Sequence, residues 1–237
     1  MPSVIRAFLG MLLLCSAASA WADLWPSPTT LSFDDQIADT TSDPKAITFN
    51  NNGDAALTLS LTAASGAFAN AGGSCLPLPV TIPAHANCTI LYTFTPPSSG
   101  HYDQTLIIGG TFGGTLRLDG KGISGHVTLA PTSLDFIAAA GTTSAMQTMV
   151  VSNTGDARMD ITSVTPASGP FAYTGGTCAP LPRRLYPKFS CTLKYSFTPP
   201  VTGLTEQILE VVTLQDSNSF GLYGEGTEQS IFADGFD

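Results

Sequence analysis

The chain has 237 residues, 43% of them hydrophobic and only 11% charged, with 9 basic against 18 acidic side chains and a formal net charge of −9. That balance argues against nucleic-acid binding, which needs a basic footprint, and against electrostatic attachment to anionic membranes. Gly and Pro are abundant, at 23 and 17 residues, and helix-forming periodic runs are missing after the N-terminal segment, which points to an all-β protein with many turns.

Residues 1–22 read as a cleaved signal peptide. Arg6 supplies the positive start, residues 7–14 the apolar stretch, and Ala18-Ser19-Ala20 and Ala20-Trp21-Ala22 two overlapping small-x-small cleavage sites. Cleavage after Ala22, preferred here to cleavage after Ala20, leaves Asp23 as the new N-terminus. The apolar run falls well short of the ~20 residues that span a bilayer. Leu14 stands before Cys15 where a lipoprotein signal wants a small residue. Cleavage removes Arg6 and no acid, so the nine basic residues fall to eight and the acidic excess grows. No later stretch is apolar and long enough to cross a membrane, so no span is expected after cleavage.

In the first domain, residues 26–122, Ala46-Ile47-Thr48-Phe49 and Leu57-Thr58-Leu59-Ser60-Leu61 read as strands. Asn52-Gly53-Asp54 between them predicts a hairpin whose Gly supplies positive φ. Residues 88–94 alternate, with Cys88, Ile90, Tyr92 and Phe94 on the inward side, and stop at Thr95-Pro96-Pro97 because Pro cannot donate to a ladder. Residues 116–122 close the unit. Gly122-Ile123-Ser124-Gly125 forms a short linker that favours end-to-end stacking of two domains over a free tether.

The second domain, residues 127–226, restates the first. Cys75 and Cys88 recur as Cys178 and Cys191, Phe68 as Phe171, Gly72-Gly73 as Gly175-Gly176, Pro77-Leu78-Pro79 as Pro180-Leu181-Pro182, and Phe94-Thr95-Pro96-Pro97 as Phe197-Thr198-Pro199-Pro200, each 103 positions on. Leu31 and Phe33 recur as Leu134 and Phe136. The offset slips to 102 at Gly53/Gly155 and to 104 at Gly120/Gly224. A repeat of this length is a whole domain. About seven short strands per ~100 residues, with frequent turns, indicate two tandem immunoglobulin-like β-sandwiches. The tail, residues 227–237, is a polar spacer followed by Ile231-Phe232-Ala233-Asp234-Gly235-Phe236-Asp237.

Removal of Cys15 leaves four cysteines in two equally spaced pairs. In an exported chain these read as one disulfide per domain, Cys75–Cys88 and Cys178–Cys191. A metal site would want closer Cys spacing and His partners, and only His85 lies near, in one repeat alone.

The order Leu-x-Phe, Asn-x-Gly-Asp, Phe, Gly-Gly-x-Cys, Cys followed by Phe-Thr-Pro, then Gly-x-Gly resembles the ASPM/SPD-2/Hydin-like (ASH) immunoglobulin-like repeats. It is most similar to their Cys-containing bacterial form in choice-of-anchor D secreted proteins. The resemblance spans about residues 26 to 226. It implies an exported repeat protein, often displayed at the cell surface and usually without enzymatic activity. The terminal heptapeptide resembles short tails that end unrelated secreted proteins of some gamma-proteobacteria, which implies a sorting or processing tag.

No catalytic set is expected. His85, His101 and His126 lack counterparts in the other repeat, and neither Gly-x-Ser-x-Gly nor His-Glu-x-x-His occurs. Asp34, Asp35, Asp39 and Asp43 cluster without calcium-loop spacing, so no metal and no cofactor is expected. The reading is a secreted or cell-surface immunoglobulin-like structural or binding module, in the periplasm, at the surface or outside the cell, with an unknown protein or cell-envelope partner. The alternative is a periplasmic two-domain chaperone of the PapD type. That reading needs a cation for a client carboxylate, with Arg117, Lys121, Arg183 and Arg184 as candidates.

Overall fold

The computed structural model describes residues 24–110 and 113–229. The signal segment and the terminal heptapeptide expected from the sequence lie outside the described residues. Ten strands form the first half: β1 (Leu24–Ser27), β2 (Thr30–Ser32), β3 (Gln36–Ile37), β4 (Lys45–Asn51), β5 (Leu57–Leu61), β6 (Phe68–Gly72), β7 (Val80–Ile82), β8 (Asn87–Phe94), β9 (Gly100–Gly110) and β10 (Gly114–Ile123). Nine form the second: β11 (Val127–Ala130), β12 (Ser133–Ala139), β13 (Gln147–Asn153), β14 (Met159–Val164), β15 (Phe171–Gly175), β16 (Arg183–Leu185), β17 (Ser190–Phe197), β18 (Gly203–Thr213) and β19 (Ser217–Thr227).

Each half is a two-layer sandwich. Sheet β1-β4-β8-β6 faces sheet β2-β10-β9-β5-β7, with β3 also paired to β10. In the second half β11-β13-β17-β15 faces β12-β19-β18-β14-β16. The halves exceed the expected seven strands because the leading strand of each is divided between sheets and short edge strands are added, β7 and β16 at one edge and β3 beside β10. β1 runs antiparallel to β4; the chain then crosses over and β2 runs parallel to β10. β11 and β12 do the same against β13 and β19. Pro28 and Pro131 stand at the crossings, where a residue without an N–H cannot continue the first ladder. Leu24 is already fully buried in the core, two residues before the domain start read from the sequence.

Alternation along β8 and β17 places Cys88, Ile90, Tyr92 and Phe94, and Cys191, Leu193, Tyr195 and Phe197, inside. In the first core the rings of Phe33, Phe68 and Phe94 lie 5.1–5.8 Å apart, and in the second those of Phe136, Phe171 and Phe197 lie 5.0–6.3 Å apart. The repeated Gly120 and Gly224 pack against Phe94 and Phe197, and a Cβ at either would run into the ring. The two cores share no residue.

The Gly-Gly-x-Cys motif is a β-bulge. β6 slips register against β8 between Asn70 and Gly72, and β15 slips against β17 between Tyr173 and Gly175. Gly73 and Gly176 have φ of 127° and 132°, and a Cβ there would meet the carbonyl oxygens of Thr89 and Thr192. This close approach sets Cys75 against β8 and Cys178 against β17. Cys75–Cys88 and Cys178–Cys191 are bonded, with S–S distances of 2.06 and 2.01 Å.

The hairpin predicted at Asn52-Gly53-Asp54 is instead an arch between sheets. β4 pairs with β1 and β8, whereas β5 pairs with β7 and β9. Gly53 and Gly155 are not in the left-handed region. The turn is shaped by the buried Asn preceding it. Asn51 Nδ2 donates to the carbonyls of Ala55, Ile82 and Pro83, and its Oδ1 accepts the Gly53 N–H. Asn153 repeats this with Ala157, Leu185 and Gly155. Satisfying the buried side-chain amide this way avoids the ~1–3 kcal/mol cost of an unpaired polar group.

Candidate functional site at the domain junction

β10 ends at Ile123 and β11 begins at Val127, so only residues 124–126 separate the two sandwiches. The Asn153–Asp156 arch of the second domain grips them. The N–H groups of Asp156 and Ala157 both donate to the Ser124 carbonyl, at 3.0 and 3.1 Å. The Ser124 N–H donates back to Asp156 Oδ1 at 2.9 Å. The Thr154 N–H donates to the His126 carbonyl at 2.9 Å, and the His126 N–H to Asn153 Oδ1 at 3.2 Å. Gly155 is required for proximity, because a Cβ there would collide with the Ser124 carbonyl and the His126 nitrogen.

Charge closes the junction. Lys121 Nζ, at the end of the first domain, lies 3.3 Å from Asp156 Oδ2 and 3.6 Å from Asp35 Oδ2. The hydrogen bond to Asp156 and the charge of Asp35 hold the Lys121 ammonium above its ordinary range. Burial pulls the Asp156 carboxyl upward, but the Ser124 N–H and Lys121 outweigh it and hold the group below the usual carboxylate range. Asp54, the counterpart of Asp156, instead faces His85 at 3.1 Å on the surface. One motif therefore does two jobs, and the second needs a lysine contributed by the neighbouring domain.

The other candidate residues are scattered. Arg117 pairs with Asp119 at 3.3 Å and Asp103 at 3.8 Å. Arg184 forms a two-pronged bond to Asp160, at 2.8 and 3.0 Å, which holds that carboxyl below its usual range. Arg183, exposed on β16, has no ion pair among the described residues. Asp34 pairs with Lys45 and Asp35 with Lys121, and the described residues contain no group of three or more His, Cys, Asp or Glu able to hold a metal. His101 faces Asp119 at 3.1 Å. His126 Nδ1 lies 2.6 Å from Asp216 Oδ2, which has no other polar partner; the contact is a hydrogen bond when Nδ1 carries the proton. Each of the three histidine rings faces a carboxylate, and none is hydrogen-bonded to a Ser, Thr or Cys among the described residues. An apolar cavity of about 300 Å³ opens beside Val164, Tyr173, Leu181 and Tyr195. Burial pushes the Tyr195 hydroxyl up to about 12, and the cavity is lined by no charged group.

No protein-family model matches the chain, and no curated protein matches it. Solved structures are similar to it at low sequence identity. A protein of unknown function from Porphyromonas gingivalis W83 is 14% identical, covering 85% of this chain and 99% of its own, with a TM-score of 0.37. The ASH/PapD-like domain 7 of human CEP192 is 18% identical over 44% of this chain and 87% of its own, with a TM-score of 0.34. The CsuC–CsuE chaperone–tip adhesion subunit complex of Acinetobacter baumannii is 10% identical over 85% of this chain and 98% of the matched chain, with a TM-score of 0.34.

Asp156→Ala should loosen the junction without unfolding either sandwich. Limited proteolysis should cut residues 122–126 faster, while thermal stability falls by no more than about 1 kcal/mol, as for an exposed ion pair and its hydrogen bonds. Unchanged cleavage would mean that the backbone bonds hold the linker alone.

Proposed function

We propose that the chain is an exported structural and binding module, at the cell surface, in the periplasm or outside the cell, with no catalytic role and a protein or cell-envelope partner. Its working units are the sandwiches of residues 26–122 and 127–226, the first including β1 from Leu24. The pinned linker between two separately cored, separately disulfide-closed sandwiches carries this reading: it fixes the connection through which the two sandwiches present their surfaces. The disulfides fit an oxidising compartment. Cleavage after Ala20 or Ala22 would leave all of β1 in place. The choice-of-anchor D resemblance belongs to this proposal, as does a sorting role for residues 231–237.

A PapD-type chaperone would need a free cation for its client's carboxylate. Of the four candidates, Arg117, Lys121 and Arg184 are engaged by carboxylates of the chain itself, which a client would have to displace, whereas Arg183 on β16 has no ion pair among the described residues.

Expression of the full chain, a chain lacking residues 1–22 and a chain lacking residues 231–237 in an exporting bacterial host tests the reading. Fractionation with thiol alkylation should find the full chain outside the cytoplasm with both disulfides formed, and the chain without residues 1–22 retained and reduced. Deleting residues 231–237 should leave the melting temperature nearly unchanged and alter where the protein accumulates. Cytoplasmic retention of the full chain would overturn the export reading, and co-purification of pilus-type subunits would favour the chaperone.

A further inference from the structure

The two halves differ most where equivalent sheets meet solvent. In the first, the outer face of β2, β10 and β9 is charged and self-paired. His101 and Arg117 both reach Asp119, and Arg117 also approaches Asp103. In the second, the same layer is β12, β19 and β18, whose residues include no Lys or Arg.

Register turns that layer into a checkerboard. Leu204 is opposite Glu225, which is opposite Ile137; one step along, Glu206 is opposite Tyr223, which is opposite Asp135; next, Ile208 is opposite Gly221. Strands ~4.8 Å apart bring these neighbours into side-chain contact range. Leu204 is 85% exposed, Ile137 69%, Ile208 58% and Tyr223 40%. Tyr223 occupies the space a side chain at Gly221 would need. A groove of about 530 Å³ runs between Ile137, Leu204 and Tyr223, edged by Asp135, Glu206 and Glu225. None of these acids has a cation within ion-pair distance among the described residues. Single apolar side chains are ordinary on a surface; here four large ones share one face with three carboxylates that no cation of the chain compensates, and that alternation of apolar area with charge of one sign is suited to an interaction site.

We propose that the outer face of β12-β19-β18 docks a protein segment in which Lys or Arg alternates with large apolar residues. This deepens the binding-module reading and rests on it. The apolar squares would bury the partner's aliphatic or aromatic side chains, and Asp135, Glu206 and Glu225 would pair with its cations. Charge complementarity selects this occupant. Anionic surfaces are repelled, and the equivalent first-domain face of a second copy offers poor complementarity because its cations are already paired.

The test uses the exported two-domain protein and three synthetic twelve-residue peptides: alternating Lys/Leu, alternating Glu/Leu and alternating Lys/Ser. Fluorescence anisotropy should show binding of the Lys/Leu peptide alone, weakening as salt rises. Ile137→Ser with Leu204→Ser, and separately Glu206→Lys with Glu225→Lys, should each weaken it by about tenfold or more. Thr105→Lys on the first domain's equivalent face should leave it unchanged. Circular dichroism melts confirm that each variant folds. Equal binding of the Glu/Leu peptide, or indifference to both face variants, would overturn the proposal. So would self-association of the protein that Leu204→Ser abolishes, since the occupant would then be a second copy. The export reading fails or survives independently, by fractionation, whatever these peptides do.

Discussion

Phe197→Ala should cost the second sandwich about 3–5 kcal/mol, and Phe94→Ala the same in the first. Both rings are fully buried at the end of a central strand. Phe197 lies 5.0 Å from Phe171 and 6.3 Å from Phe136, with Gly224 against its edge; Phe94 lies 5.1 Å from Phe68 and 5.7 Å from Phe33, beside Gly120. Truncation leaves a cavity that a glycine cannot fill, and the flanking rings are held by their own strands. Because the cores share no residue, each variant should lower its own transition in calorimetry of the whole chain. Trp25, in β1, gives a fluorescence signal for the first domain. A loss below about 1 kcal/mol, within the range of an ordinary substitution, would mean that the ring does not organise the core.

Replacing Cys178 and Cys191 together by alanine should destabilise the second domain by about 2–5 kcal/mol, and the Cys75/Cys88 pair should do so in the first. Each bond joins residues 13 apart and restricts the unfolded chain by roughly 3 kcal/mol on the chain-entropy account. Each also holds the bulged segment after β6 or β15 onto the neighbouring strand, and all four cysteines are buried. Denaturation with and without dithiothreitol measures the effect, and non-reducing peptide mapping identifies the pairs. Cross-domain pairing, or stability indifferent to reductant, would refute the assignment.

Much of this architecture could be read from residue order because it is written in local patterns used twice. The inward set Cys191, Leu193, Tyr195 and Phe197 follows from a period of two. The recurrence of Gly-Gly-x-Cys, Phe-Thr-Pro-Pro and the closing glycines marks whole domains, and equal spacing of the cysteines points to pairing within each. The hairpin reading of Asn52-Gly53-Asp54 failed because turn composition does not say which sheet the next strand joins. The Asn one residue earlier, bonded to a carbonyl more than thirty residues away, directs the chain across the sandwich. The junction was legible only as a short linker; Asp156 follows Gly155 as Asp54 follows Gly53, and its grip on Ser124 and Lys121 appears only once the second domain is placed beside the first.

From residues alone come the two cores, their inward faces, the cysteine spacing and the acidic, turn-rich character, since each is a matter of periodicity, repetition or composition. Tertiary structure decided the division of the leading strands between sheets, the arch at each buried Asn, the pinned linker, and the meeting of Ile137, Leu204, Tyr223 and three carboxylates on one outer face. Alternation says which side of a strand a residue faces. It does not say which strand lies alongside, and β12 and β19 on that face are joined by hydrogen bonds between residues 88 positions apart.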